Sequence, residues 1–132
     1  MNSSLRALIV EDLEFWQDIL CEGLTDAGYW VRVASSYVEA LEALAQNEFD
    51  LVVIDPVLDD TNRRNRDGLR VLQYILDDRS GLCVIVVTSS DPVRIGHEVR
   101  QMSPDVPVLK KDEWDDDRFL AVVRDLLAGK ER

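Results

Sequence analysis

The sequence predicts an α/β chain of five strand-helix units around a parallel sheet. Three observations carry this expectation. Short apolar runs occur at residues 5–10, 51–54 and 82–87; stretches with apolar residues at helical spacing follow them; and the two patterns alternate along the whole chain. Runs of β-branched residues this short read as strands buried on both faces, as parallel sheets require.

Residues 5–10 form the first run, broken by Glu11 and Asp12, after which Leu13, Trp16, Ile19, Leu20, Leu24 and Ala27 recur at helical spacing up to Gly28. In residues 29–34, Val31 and Val33 alternate with Trp30 and Arg32, the pattern of an edge strand with one partly solvated face. Ser36 followed by Glu39 is a capping-box signature, and Leu41, Leu44 and Ala45 give a second helix ending near Asn47. Residues 49–55 form the third strand, closed by the carboxylate of Asp55. A polar loop, DDTNRRNRD over residues 59–67, precedes a third helix marked by Leu69, Leu72, Ile75 and Leu76, with Gly81 at its exit.

Residues 82–87, LCVIVV, are the most apolar stretch and predict an inner strand ending in Thr88, Ser89, Ser90 and Asp91. Pro92 suits the first turn of a fourth helix, whose stripe of Ile95, Val99 and Met102 around Gly96 is thin, so this helix is expected to be the least robust. Residues 106–109 form a short strand, and Pro107 within it demands an edge position because proline cannot donate to a ladder. Phe119, Val122, Val123, Leu126 and Leu127 draw a fifth helix after the acidic residues 112–117, ending at Gly129. Edge signatures in the second and fifth strands agree with a flavodoxin-like (βα)5 doubly wound five-stranded sheet of order 2-1-3-4-5, although element order alone allows other doubly wound arrangements.

The 132 residues, 46% of them hydrophobic, suit one domain spanning residues 1–132. A formal net charge of -11, from 26 acidic against 15 basic residues, argues against direct nucleic-acid or anionic-membrane binding and favours a protein or cation as partner. Cys21 and Cys83, far apart and outside any CxxC or Cys/His cluster, read as buried thiols in a reducing compartment. No stretch approaches the ~20 apolar residues of a membrane span, and acidic residues come too early for a signal peptide, so a cytoplasmic location is expected.

In sheets of this kind chemistry collects at the carboxyl ends of the strands. Those ends carry Glu11 and Asp12, Asp55, Thr88, and Lys110. Converging carboxylates repel one another unless a cation lies among them, and oxygen-only ligation that leaves positions for water and phosphoryl oxygens suits Mg2+. A carboxylate can also accept a phosphoryl group, with a metal, a lysine and a hydroxyl neutralising the transferred oxygens. Asp55 then reads as nucleophile, Lys110 as cation and Thr88 as hydroxyl. Lys111 competes for the lysine's part, but Lys110 directly follows the apolar pair Val108 and Leu109 and is preferred on strand register.

In order and spacing, Glu11, Asp12, Asp55, Thr88 and Lys110 resemble the five active residues of response-regulator receiver domains, and Asp67-Gly68 resembles the Asp-Gly that starts that family's third helix. The resemblance covers nearly the whole chain. It implies a phosphoacceptor domain rather than an enzyme, taking a phosphoryl group onto Asp55 from a histidine kinase or phosphotransfer protein. It further implies Mg2+ held by Glu11, Asp12, Asp55 and the backbone carbonyl of Val57, with output through the face of the fourth helix and fifth strand to a downstream protein. A homodimer through the fourth helix, fifth strand and fifth helix is a further expectation. No output segment follows the fifth helix, so output is expected through another polypeptide or a part of a longer protein.

Several residues depart from the family pattern. Pro56 follows Asp55 directly, Gly68 comes five residues later than the family's spacing, Lys111 stands where proline usually follows the lysine, and Pro107 replaces the aromatic often found three residues before it. These departures motivate an alternative, a receiver-like interaction module that does not switch by phosphorylation. An Asp55-nucleophile hydrolase is disfavoured because Val57 occupies the place of its second acid. A flavin-binding flavodoxin is disfavoured because the first strand-end loop is acidic. Arg63, Arg64 and Arg66 read as a solvated loop that is able to reach a phosphorylated Asp55 or a partner's acidic patch. His97, Trp30 and Trp114 read as surface or packing residues.

Overall fold

The computed structural model describes residues 5–59, 61–79, 81–89 and 92–130. Ten elements alternate through the chain: β1 (Arg6–Val10), α1 (Glu14–Asp26), β2 (Trp30–Ala34), α2 (Tyr37–Gln46), β3 (Leu51–Ile54), α3 (Asp67–Asp78), β4 (Cys83–Thr88), α4 (Pro92–Met102), β5 (Val108–Lys110) and α5 (Asp116–Lys130). A 3-10 turn over Lys111–Glu113 joins β5 to α5. The five strands are parallel in the order β2-β1-β3-β4-β5, with β2 and β5 at the edges as their patterning predicts. The expected strand-end residues Ser90 and Asp91, and Asp60 of the polar loop, lie outside the described residues.

The alternation of side chains along the strands divides the core into two layers. Leu8, Val10, Val52, Ile54, Val84 and Val86 pack on one face against Ala40, Leu44, Leu72, Ile75, Ile95 and Val99 of α2, α3 and α4. Ala7, Ile9, Leu51, Val53, Ile85, Val87 and Leu109 pack on the other against Leu20, Leu24, Phe119 and Val123 of α1 and α5. Inner strands therefore have no polar face, which is why β3 and β4 read as unbroken apolar runs.

Local signals act largely as expected. Gly28 follows α1 with a φ of 98°, a conformation that favours glycine. The capping box of α2 is displaced by one residue on one side: Ser36 Oγ accepts from the Glu39 amide at 3.2 Å, but Glu39 Oε1 accepts from the amide of Ser35 at 2.9 Å, not from Ser36. The Ser35 amide, and with it the Ser35 hydroxyl that donates to the same oxygen at 2.9 Å, hold the Glu39 carboxyl below its usual range. Both cysteines are free and only half-buried, a correction to the expectation of fully buried thiols. No described helix is long and apolar enough to cross a membrane.

The fifth strand differs from its expected bounds. It covers Val108–Lys110 rather than residues 106–109, so Pro107 precedes it and contributes only a carbonyl, which accepts from the Val86 amide at 2.9 Å. Starting after the proline spares the ladder its missing donor. This displacement decides which lysine reaches the carboxyl end of the sheet.

Candidate functional site

Strand register assembles the site. Val10 pairs with Ile54 across the β1–β3 ladder, so the residues that follow, Glu11 and Asp55, leave the sheet side by side. Their neighbours Val10 and Ile54 fill the α2–α3–α4 layer, and one step along the chain directs both carboxylates to the opposite layer. Glu11 is fully buried and Asp55 is 6% exposed, while Asp12 is half-buried. Carboxylate oxygens of Glu11, Asp12 and Asp55 lie within 4.8 Å of one another. Sequence reasoning brought these three residues together, and the fold does the same.

Lys110 is not the lysine at this cluster. It is the last residue of β5, paired in register with Thr88, and its exposed side chain lies 3.7 Å from Glu113. Lys111, the first residue beyond the strand, is 6% exposed. Its Nζ donates to Glu11 Oε1 and Oε2, each at 3.0 Å, and to Asp55 Oδ2 at 2.8 Å. Glu11, Asp55 and Lys111 thus each occupy the first position after their strand. Taking Leu109 as the strand's last residue misplaced the lysine by one, and a one-residue slip moves a side chain to the other face.

Several groups fix this arrangement. The Val57 amide donates to Asp55 Oδ1 at 2.8 Å, so Pro56, which has no N–H, leaves that oxygen to the next amide along. Glu11 Oε1 also accepts from the Leu13 amide at 3.3 Å at the start of α1, and Gln17 Nε2 donates to the Glu11 carbonyl at 2.6 Å. The ring of Trp16 lies with its centroid 5.0 Å from Lys111 Nζ, where its negative face favours the ammonium. Trp16 meets Trp114 edge-on at 5.3 Å, and Trp114 packs on Phe119 at 5.0 Å. Trp16 fitted a core stripe in the sequence, and its service to Lys111 had no separate signal. Thr88 is fully buried at the end of β4, two residues beyond Val86, the partner of Ile54 at the end of β3. Val57 is buried next to Asp55.

Gly68 makes a close approach that no other residue permits. A Cβ there would meet the carbonyl oxygen of Asp55 and stand 2.6 Å from Pro56 Cα, both backbone atoms that cannot move aside. The late arrival of Gly68 in sequence therefore does not alter its place: the extra residues loop out, and the Gly68 amide returns to the Pro56 carbonyl at 3.1 Å.

Three carboxylates face one ammonium, so charge in the cluster is unbalanced. Burial, and next the charge of Asp55, push the Glu11 carboxyl up to about 8, against the pull of Lys111. A divalent cation would relieve this imbalance. The donors are hard oxygens only, with neither histidine nor thiolate, and such a set fits Mg2+ or Ca2+ rather than zinc or copper.

Of the remaining residues singled out in the sequence, Arg63 and Arg64 are exposed in the loop, whereas Arg66 pairs with Glu98 on α4. His97 is exposed. Trp30 stacks on Phe49 at 6.3 Å with Arg6 over its ring at 5.2 Å, far from the carboxylates at the other end of β2. Trp114 is a packing residue, its Nε1 donating to Asp116 Oδ1 at 2.7 Å.

Comparison with known proteins gives a consistent picture. The family model described as response regulator receiver domain matches residues 7–124. The sensor histidine kinase RcsC of Escherichia coli (strain K12) is 34% identical over 89 residues, which are 67% of this chain and 9% of that protein. The response regulator MprA of Mycobacterium sp. (strain KMS) is 33% identical over 89 residues, covering 67% of this chain and 36% of that protein. The matched region is thus a minor part of either relative. Among solved structures, a CheY-like response regulator receiver domain protein from Methanospirillum hungatei JF-1 superposes with a TM-score of 0.84 at 24% identity, over 98% of each chain. The receiver domain of NtrX from Brucella abortus gives 0.81 at 24% identity, over 92% of this chain and 98% of that one. These two likenesses speak for the fold.

Proposed function

The chain belongs to the response regulator receiver domain family of two-component systems, and from that premise we propose that Asp55 accepts a phosphoryl group from a phosphohistidine donor. The observation that carries this reading is the 2.8 Å bond from buried Lys111 Nζ to Asp55 Oδ2 within three converging carboxylates. An aspartate that served only to cap a turn would need neither.

In this reading Asp55 attacks the donor phosphorus in line. The P–N bond breaks, its electron pair leaves with the donor imidazole, and a carboxylate–phosphate bond forms. Lys111, already held at the acceptor, neutralises a transferred oxygen, and the Thr88 hydroxyl donates to another. Glu11, Asp12, Asp55 and the main-chain carbonyl of Val57 would hold Mg2+. When bound, that ion supplies positive charge to the phosphoryl oxygens and to the crowded carboxylates. Lys111 takes the part that the strand-register argument had given to Lys110. The reaction is confined to taking up and losing the phosphoryl group, so the domain acts as a regulator. Its partners are a histidine kinase or phosphotransfer protein and a downstream protein, with a cytoplasmic setting. A single domain over residues 1–132, and a dimer through α4, β5 and α5, belong to the same proposal.

The test is incubation with a small phosphodonor and Mg2+. The intact mass should rise by one phosphoryl group, and Asp55→Asn should abolish the gain. No gain from small donors or from kinases sinks the reading. With Lys111 as the site lysine, the residue three positions before it, where the family often has an aromatic, is Val108, and this favours the alternative of an interaction module that does not switch. That alternative predicts unchanged partner binding by Asp55→Asn protein.

A further inference from the structure

We propose that the Arg66–Glu98 ion pair is a tether that couples the backbone beside the acceptor to α4. The inference rests on the acceptor reading of Asp55 for its signal, but the tether itself is a matter of loop and helix.

The path is continuous. Asp55 Oδ1 holds the Val57 amide at 2.8 Å, and the next amide, Leu58, donates to Asn65 Oδ1 at 3.0 Å. The same oxygen accepts from the Asp67 amide at 2.9 Å, so one side chain stitches the outgoing limb of the loop to the returning limb. Arg66 stands between those bonded residues. Its Nη1 donates to the carbonyls of Arg63 at 2.7 Å and Asn65 at 2.9 Å, which fixes the guanidinium to the loop. Its other edge grips α4: Nε donates to Glu98 Oε1 at 3.0 Å and Nη2 to Oε2 at 3.2 Å. This two-pronged geometry holds orientation as well as distance. The side chains are 25% and 34% exposed, so water screens the pair only in part.

On the α4 side, Glu98 follows Ile95 and precedes Val99, both fully buried against the sheet. Arg94 Nε also lies 4.0 Å from Glu98 Oε2. A displacement of residues 56–58 on loading Asp55 is therefore passed through Asn65 and Arg66 to the side of α4. Coupling of this kind is reciprocal: a change made on α4 must be felt in the loop.

The experiment is amide hydrogen exchange on the full chain, comparing wild type, Arg66→Met, Glu98→Gln and the charge swap Arg66→Glu with Glu98→Arg. Without any phosphodonor, Glu98→Gln should speed exchange at Leu58 and Asp67 by about three- to tenfold, the range for a well-oriented, partly exposed pair. The charge swap should restore only part of it, because a carboxylate at position 66 regains the pair with α4 but cannot donate to the Arg63 and Asn65 carbonyls. With phosphodonor and Mg2+, the wild type should show altered exchange along α4, and Glu98→Gln should lose most of that change while its phosphoryl uptake stays equal. Unchanged loop exchange in Glu98→Gln overturns the tether, as does an undiminished α4 response. If the wild type takes up no phosphoryl group, the acceptor reading fails, and the donor-free arm still decides whether loop and helix are coupled.

Discussion

Replacing Lys111 with methionine tests how the site is built, because the side chain keeps an unbranched apolar stem and loses the ammonium with its three hydrogen bonds. Nζ stands 2.8–3.0 Å from three carboxylate oxygens, and at an effective dielectric constant of about 20 each such charge pair is worth roughly 5–6 kcal/mol before desolvation is subtracted. Burying the ammonium cancels part of that attraction, and breaking a buried pair from one side costs on the order of 3–5 kcal/mol, because the carboxylates are left facing each other. Near pH 6 Glu11 is already protonated and its contact with the ammonium is not an ion pair, so the lower end, about 3 kcal/mol, is expected there and a larger cost at pH 8. For a domain of this size 3 kcal/mol lowers the Tm by about 10 °C. Urea unfolding at both pH values, without Mg2+, measures it. Lys110→Met is the matched control, and its exposed pair with Glu113 should contribute less than about 0.5 kcal/mol. A large loss for Lys110→Met with none for Lys111→Met would refute the assignment.

Other outcomes follow from the same geometry. Glu11 is raised from an ordinary 4.5 to about 8, so between those values the folded chain binds more protons than the unfolded one. Its contribution is then complete below about 4.5 and is lost as pH rises through about 8, a fall in stability that urea titration should show and that Glu11→Gln should flatten. Mg2+ should shrink the same fall by favouring the carboxylate. Gly68→Ala should cost about 1–3 kcal/mol or more, since the added methyl meets backbone at Asp55 and Pro56, and circular dichroism melts will register it. Ser36→Ala should cost about 1 kcal/mol through the lost bond to the Glu39 amide, readable in the same melts.

The fold was legible because burial on both faces leaves an unmistakable record: LVVI and CVIVV admit few readings other than inner strands. The carboxylates were legible for a related reason, since each ends an apolar run and register does the rest. Lys111 was harder. With two adjacent lysines the choice depends on where a three-residue strand stops, and strand ends are set by hydrogen bonding that Pro107 disturbs rather than by hydrophobicity. Arg66 was harder still. Its partner Glu98 lies 32 positions away, and a polar loop carries no periodicity from which to place a side chain. Trp16 satisfied a helical stripe, and nothing in spacing alone distinguishes a ring packed on carbon from one packed on an ammonium.

An aspartyl phosphate is reduced by borohydride to an alcohol, which leaves homoserine at the position that carried the phosphoryl group. Protein treated with phosphodonor and Mg2+, trapped in this way and mapped by peptide mass should carry homoserine at position 55 and nowhere else. Trapping at Asp12 or Glu11, or no trapped product from a properly folded chain, would contradict the claim that Asp55 is the acceptor.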